Sequence, residues 1–486
     1  MIRKNKESGK SNYEFMLDST TTIHWGDCKI LWKDFLSSLI TPRALFGYLN
    51  HATTKIKLVS TQLVYLCSIM KMTLISAFAV LFFAVPVLAQ EQWSMFRGPN
   101  GQGISTATGV PTLWSDTENI AWKTPIPGEG WSSPIIWNDH IFLTSATNRG
   151  TECRVIALDR KTGDILWNKM VFTQEPREMN SLNSKASPTA VTDGQHVYAV
   201  FYNGHLAALD FEGNVVWTNT KVGFESNHGF GASPIIYGDL LILPINPTED
   251  NAGFTVPWDK AFLWALDKNT GEERWRGTRT MSRVAHSTPV VIQVDGKDQI
   301  LSVAGDVVQG FEPATGELIW TVRRSGEPAV PTPAIGEGMV FTTTRMSEPI
   351  LAIRTDGRGD VSNTHVAWEQ RRNSPMVSSF LYVNSVLYTA TESGSFTAYD
   401  AATGAVLWEH RLQGGRADSS PICVDGKIYV TTREGITTVL RPNTDPRTRA
   451  EIVAVNDIGA TVQATLAVAG SQIFLRTDKE LWCIGK

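Results

Sequence analysis

Cysteine is scarce in this chain and never paired in sequence. Its 486 residues carry five, and only Cys153, Cys423 and Cys483 lie beyond residue 90. There is no C-x-x-C-H haem attachment site, no C-x-x-C metal knuckle, and no cysteine directly after the hydrophobic run that a lipid could modify. One disulfide among the three remains open in an oxidising compartment, but three small buried side chains are the simpler expectation. Charge is also sparse, with Asp, Glu, Lys and Arg making up 19% of the chain. No basic stripe appears, which excludes nucleic acid as a partner. Helical periodicity is nearly absent, and neither an H-E-x-x-H helix nor a G-x-S-x-G elbow is present, which argues against zincin and α/β-hydrolase chemistry.

Long apolar runs are missing too, with one exception. After Met70-Lys71-Met72 the stretch from Leu74 to Leu88 is apolar apart from Ser76, and Val87-Leu88-Ala89 precede Gln90. Charge, a short hydrophobic core and small residues in that order are the marks of a secretory signal peptide, too short to span a bilayer comfortably. The expected division is therefore an artefactual or disordered leader at 1–69, a signal peptide at 70–89, an N-terminal extension at 90–114 and a folded domain at 115–486. Cleavage near Ala89 leaves 34 Lys and Arg against 43 Asp and Glu, a net charge of −9. The mature chain is then expected in the periplasm or outside the cell, with no transmembrane segment.

What the chain does have is repetition. Ala157-Leu158-Asp159, Thr162-Gly163 and Trp167 form a phrase that returns as Ala265-Leu266-Asp267, Thr270-Gly271, Trp275, and as Ala398-Tyr399-Asp400, Thr403-Gly404, Trp408. Gly310-Phe311-Glu312 with Thr315-Gly316 and Trp320 is a variant; Ala208 to Trp217 is shorter, and Ala352 to Trp368 is swollen by Asp356 to Asn363. A second phrase, Ser or Thr before Pro and then alternating apolar residues, marks unit starts at Pro134, Pro188, Pro234, Pro289, Pro333, Pro375 and Pro421, with Thr465 in eighth place. Repeats of roughly 40–50 residues with β-alternation are four-stranded propeller blades rather than helical repeats. The spacing predicts an all-β fold, a single eight-bladed β-propeller. Its last blade ends without a Trp strand, and Asn119 to Lys123 with Trp122 is expected to supply it from the N-terminal side, removing an exposed edge. Trp122, Trp167, Trp217, Trp275, Trp320, Trp368 and Trp408 are expected to be scaffold, filling wedges between blades at the outer rim.

The A-x-D-x-x-T-G-x-x-x-W phrase resembles the tryptophan-docking repeat of pyrroloquinoline-quinone (PQQ) dehydrogenases, shared with the propeller lipoprotein of the outer-membrane β-barrel assembly machinery. The opening Trp93-x-x-Phe96-Arg97-Gly98-Pro99, with Gly103 and Ser105 after it, resembles secreted PQQ-repeat proteins of planctomycete-type bacteria. The likeness covers about 91–486 and implies the fold; function lives in sites grafted on it. One implied function is a non-catalytic binding or protein-interaction scaffold. The alternative is a dehydrogenase oxidising alcohols or sugars, which in that family uses PQQ, a metal ion held by carboxylate and amide oxygens, and often a vicinal disulfide. This chain has no adjacent cysteines and no matching Glu, Asn and Asp trio. Asp356-Gly357-Arg358-Gly359-Asp360 is the nearest local calcium candidate and reads better as a swollen hairpin. No PQQ site, metal site or catalytic residue is therefore assigned.

In a propeller the loops before each unit start share one face, here called the top, with the loops between second and third strands. Trp131, Asn183, Lys185, Asn227, His228, Arg283, His286, Asn373, Arg416, Asp418 and Gln463 fall there. Of these, Trp131, Asn183, Lys185, His228, Arg283, His286, Arg416 and Asp418 are the candidates for a protein or small-molecule ligand. Two His and an Asp from different blades lack metal-ligand spacing. Two long segments, 168–184 and Asn246 to Lys260 with Asp250, Trp258 and Asp259, are expected to add to the same face.

Overall fold

The Ala-x-Asp phrase folds as a hairpin whose Asp holds the turn. In the computed structural model, which describes residues 92–175, 179–224, 226–247, 259–280, 282–324, 326, 328–343 and 348–485, Asp159 Oδ1 accepts the backbone N–H groups of Lys161 and Thr162 at 2.8 and 2.9 Å. Gly163 closes the turn with φ of 77°, a conformation an L side chain rarely adopts. Those amide donors hold the Asp159 carboxyl below its ordinary range. Asp267 and Asp400 repeat the arrangement.

The hairpins assemble into eight antiparallel four-stranded blades. In blade 1 the strands, lettered A to D from the axis outward, are Ile135–Trp137, His140–Thr147, Glu152–Asp159 and Ile165–Thr173. Strand D thus runs to Thr173, so residues 168–173 belong to the sheet and not to the loop expected to begin at 168. The long strand C opposite pairs along its whole length. Blade 8 combines Ala467–Ala469, Gln472–Arg476 and Glu480–Ile484 with Ile120–Pro125 as its outermost strand, Trp122 facing Cys483. The expected closure from the N-terminal side is present.

Five of the rim tryptophans hydrogen-bond to the blade after their own. The indole N–H of Trp122 donates to Arg160 O at 3.0 Å, that of Trp167 to Phe211 O at 2.7 Å, and that of Trp217 to Lys268 O at 2.8 Å. Trp275 and Trp368 reach Pro313 O and Ala401 O in the same way. Under the Trp122 ring lies Gly163, where an added Cβ would sit 2.5 Å from the indole. Trp320 departs from the pattern. The swollen turn of blade 5 lays Gly359–Asp360 parallel to the strand carrying Trp320, and its indole turns to Gln299 Oε1 at 2.9 Å. Within the Asp356–Asp360 segment, Gly359–Asp360 is therefore an edge strand, with Asp360 paired to Arg323.

At the inner end of the blades a belt of hydroxyls closes the ring. Backbone N–H groups of Ser133, Thr189 and Ser233 donate to the hydroxyls of Thr189, Ser233 and Thr288 in the next blade at 2.9, 3.0 and 3.0 Å. Thr332, Ser379, Ser420 and Thr465 continue it to Ser379, Ser420, Thr465 and back to Ser133, each at 3.0 Å. Blade 4 reaches blade 5 through Ser287 Oγ and Pro331 O at 2.9 Å. Two unit starts move as a result: the belt residue of blade 6 is Ser379, not the Ser374 before Pro375, and that of blade 2 is Thr189, after Pro188. Geometry selects the hydroxyl, and proline is only a frequent neighbour. Thr465→Val keeps the shape but strands the buried Ser420 N–H. A loss of about 1–3 kcal/mol is expected, measured by urea unfolding against Thr465→Ser as control.

Residues 92–114 are woven into the ring. Gln92 and Trp93 pair with Trp137 and Ile136 on the innermost strand of blade 1, and Ser94 O accepts Thr192 N of blade 2 at 2.9 Å. Arg97 Nη2 donates to Phe380 O of blade 6 at 2.6 Å and to Gln102 O at 2.8 Å. Gln102 Oε1 accepts Ile335 N of blade 5 at 3.0 Å, and Ile104–Ser105 runs parallel to blade 7 beside Cys423 and Val424. The opening motif thus lies across the axis, at the end where strands A turn into strands B. Gly98 and Gly103, with φ of 82° and 75°, make the bends. Further on, Trp114 stacks on Tyr429 of blade 7 at 6.3 Å between centroids, in a buried cluster that includes Ile473 and Phe474 of blade 8. Blade 7 has no tryptophan in its outer strand, and Trp114 fills that wedge.

The leader, the hydrophobic run, Asp250 and Trp258 lie outside the described residues. Among the described residues no helix is long and apolar enough to cross a membrane.

Candidate functional site

The polypeptide across the axis leaves the top face as the side on which the sequence candidates stand. Tight turns join A to B and C to D at the opposite end, so the D–A and B–C loops gather at the top. Across blades 8, 1 and 2 these loops form a groove of about 1020 Å³, lined by Glu129, Trp131, Met179, Asn183, Lys185, Asp478 and Lys479 among others. Trp131, half-buried, is fixed by its backbone N–H, which donates to Ala186 O at 3.1 Å and Ser184 Oγ at 3.2 Å. Asn183 donates through Nδ2 to His228 O at 2.6 Å, tying the loop before blade 2 to the loop before blade 3. Lys185 lies on Gly150, donates to Arg149 O at 3.2 Å, and its ammonium stands 5.5 Å from the centre of the Tyr202 ring. The groove so presents an indole and a thioether beside cations and carboxylates. That mixture suits a polypeptide segment with both apolar and polar side chains.

The other candidates part into separate clusters. His228 is buried and meets His286 edge to face, ring centres 6.0 Å apart, with Phe224 packed nearby. Arg283 ion-pairs with Asp306 and donates to Gly326 O at 2.7 Å, joining three loops. Asn373 is a pin: its Nδ2 donates to Thr397 Oγ1 at 2.9 Å, and its carbonyl accepts the Tyr399 hydroxyl at 3.3 Å. Arg416 and Asp418 pair at 2.7 Å, and Asp418 also binds Arg433. Arg433 reaches Gln463 Oε1 at 3.2 Å. Beneath Gln463, Arg476 is fully buried and donates to Ser132 O at 3.0 Å and Thr144 O at 2.9 Å; burial lowers its pKa to about 9.

Arg433, Asp306, Asp478 and Lys479 are not among the sequence candidates because they stand on B–C loops, away from the unit starts that mark the others. A signal existed. Thr391-Glu392-Ser393-Gly394 and Thr432-Arg433-Glu434-Gly435 are the same four-residue turn, with Gly394 and Gly435 both at φ 82°.

A quinone cofactor with its cation requires a carboxylate and amide set at the channel mouth. Among the described residues no group of three His, Cys, Asp or Glu is placed to hold a metal ion. Asp306 and Asp418 are each already bound to arginine. Cys153, Cys423 and Cys483 are separate, buried free thiols in blades 1, 7 and 8, with burial pushing their pKa values up to about 12, 11 and 12. The described residues do not fit the PQQ group with its cation.

The family model described as Outer membrane protein assembly factor BamB matches residues 93–227, 185–322, 243–362 and 304–485. The tetrathionate hydrolase of Acidithiobacillus ferrooxidans is 24% identical over 362 residues, 68% of this chain and 70% of its own length. The outer membrane protein assembly factor BamB of Alkalilimnicola ehrlichii is 23% identical over 227 residues, 46% of this chain and 51% of its own. The crystal structure of BamB from Moraxella catarrhalis is similar in fold, with a TM-score of 0.51 at 14% identity, over 76% of this chain and 97% of that one.

Proposed function

This chain belongs to the BamB family of PQQ-repeat β-propellers, and from that premise we propose that it is a non-catalytic scaffold that grips a partner polypeptide in its top-face groove. The reading includes export: a periplasmic or extracellular protein, released near Ala89. The observation that carries it is the groove itself, about 1020 Å³ with Trp131 in its wall and Lys185 and Lys479 beside it. A half-buried indole on an anchored backbone offers a partner a large, stiff apolar surface, the kind of side chain that dominates interfaces. The alternative, an alcohol or sugar dehydrogenase, finds among the described residues no carboxylate set for its cofactor's cation.

The test is site-specific photo-crosslinking from the full chain in its native host. A crosslinker at Lys185 is expected to capture one defined polypeptide, while the same group at Asn138, on the opposite face, captures none. Trp131→Ala reduces the capture at least about tenfold, the size of a central aromatic anchor, with an unchanged melting temperature. Equal capture from both faces sinks the reading, as does PQQ-dependent dye reduction with alcohols or consumption of tetrathionate by the purified chain.

A further inference from the structure

At the top of blade 7 two arginines meet over one buried carboxylate. The Asp418 side chain is 4% exposed; its Oδ1 accepts Arg416 Nε at 2.7 Å and its Oδ2 accepts Arg433 Nε at 2.5 Å. The backbone N–H of Arg433 donates to Arg416 O at 2.8 Å, locking the two loops together. Both guanidinium groups therefore commit inner nitrogens to the protein. Among the described residues, the two terminal nitrogens of Arg416 and Nη1 of Arg433 bind no protein atom, and these side chains are 28% and 32% exposed.

The charge count separates this cluster from an ordinary ion pair. Arg283 meets Asp306 one to one and gives a further bond to Gly326 O, so it is electrically closed. At Asp418 two cations share one anion. The next acid, Glu392, takes Met376 N on both oxygens at 3.1 and 3.2 Å; burial raises its pKa, opposed by those amides and by the charge of Arg416. Two planar forks, aimed by one shared carboxylate, keep terminal nitrogens to spare. Planar forks match a carboxylate through paired N–H bonds better than a point charge does.

We infer that Arg416 and Arg433 form a receptor for a carboxylate side chain of the bound polypeptide, with Asp418 as the positioning residue that aims both forks. Gln463 links the receptor to the groove. Gln463, bonded to Arg433, and Trp131 line one small cavity, and Trp131 lines the groove beyond it. A partner segment with an apolar side chain near an acidic one satisfies both. The polypeptide part of the inference rests on the scaffold reading; the carboxylate receptor stands apart from it and is tested without any partner.

The experiment is calorimetric titration of the full chain at low salt with glutarate, its uncharged analogue glutaramide, and sulfate. Glutarate is expected to bind saturably, about tenfold or more tighter than either of the other two. Arg416→Lys with Arg433→Lys keeps the charge and loses the forks, and is expected to weaken glutarate about fivefold or more at an unchanged melting temperature. Asp418→Asn is the decisive variant. It removes a negative charge, so simple attraction would tighten glutarate, whereas loss of positioning weakens it. Tighter or unchanged binding in Asp418→Asn overturns the inference, and so does sulfate binding more tightly than glutarate. Absence of glutarate binding with crosslinking intact removes the receptor alone; glutarate binding without crosslinking removes the scaffold reading alone.

Discussion

A chain lacking residues 115–125 is expected to lose its cooperative unfolding transition altogether. Those residues contain the strand Ile120–Pro125, which pairs with Glu480–Ile484 and closes blade 8. They also contain Trp122, whose indole donates to Arg160 O at 3.0 Å, and Thr124, whose hydroxyl donates to Gly163 O at 2.7 Å, so the same segment bonds blade 8 to blade 1. Its removal leaves an unpaired edge on Leu481–Ile484, a run with no charge, next to an empty wedge. Such an edge invites pairing with a second chain. Because every blade leans on two neighbours, the opened ring has lost one contact surface on each side of the gap. Circular dichroism through a urea titration measures the effect. A sharp monomeric transition at the parental midpoint would contradict the closure as the determinant of stability.

Trp93→Ala is expected to cost about 3–5 kcal/mol, the range for emptying a buried indole site. Trp93 is fully buried and lies across the axis with its backbone paired to Ile136. Gly98 approaches so closely that an added Cβ would be 2.9 Å from the ring. The segment cannot collapse into the space the ring vacates, because Arg97 and Gln102 anchor it to blades 6 and 5. Trp93→Phe is expected to be milder, about 1–2 kcal/mol, since among the described residues the indole N–H has no hydrogen-bond partner and its loss strands no acceptor. Urea midpoints rank the three proteins, and limited proteolysis at 92–114 reports whether the segment has come away from the axis. Equal stability of Trp93→Ala and the parent would mean that the crossing segment is dispensable.

The repeat phrases make the blades legible because their chemistry is local. An Asp that caps its own turn, a Gly at positive φ and a Trp at fixed distance need no knowledge of the rest of the fold. Ser379 was misplaced for the opposite reason: its role is a hydrogen bond to a residue 41 positions away, and no local pattern requires proline beside it. The opening motif was recognisable but its position was not, since nothing within Trp93 to Ser105 states that Phe380, Ile335 and Cys423 will surround it. The binding candidates fared similarly. Residues before the unit starts do reach the top face, yet Arg283 and Asn373 are occupied in holding loops together, while Arg433 and Lys479 complete clusters from loops that carry no conspicuous motif.

By itself the sequence determined an all-β ring of eight blades, its tryptophan wedges and its closure by the strand around Trp122, because each follows from periodicity and turn chemistry repeated along the chain. Only the tertiary structure decided that residues 92–105 cross the axis, that Trp114 stands in for the tryptophan blade 7 lacks, and that Arg416 and Arg433 share Asp418. Those outcomes depend on side chains hundreds of residues apart being brought within a few ångströms, and distance in space is not written in spacing along the chain.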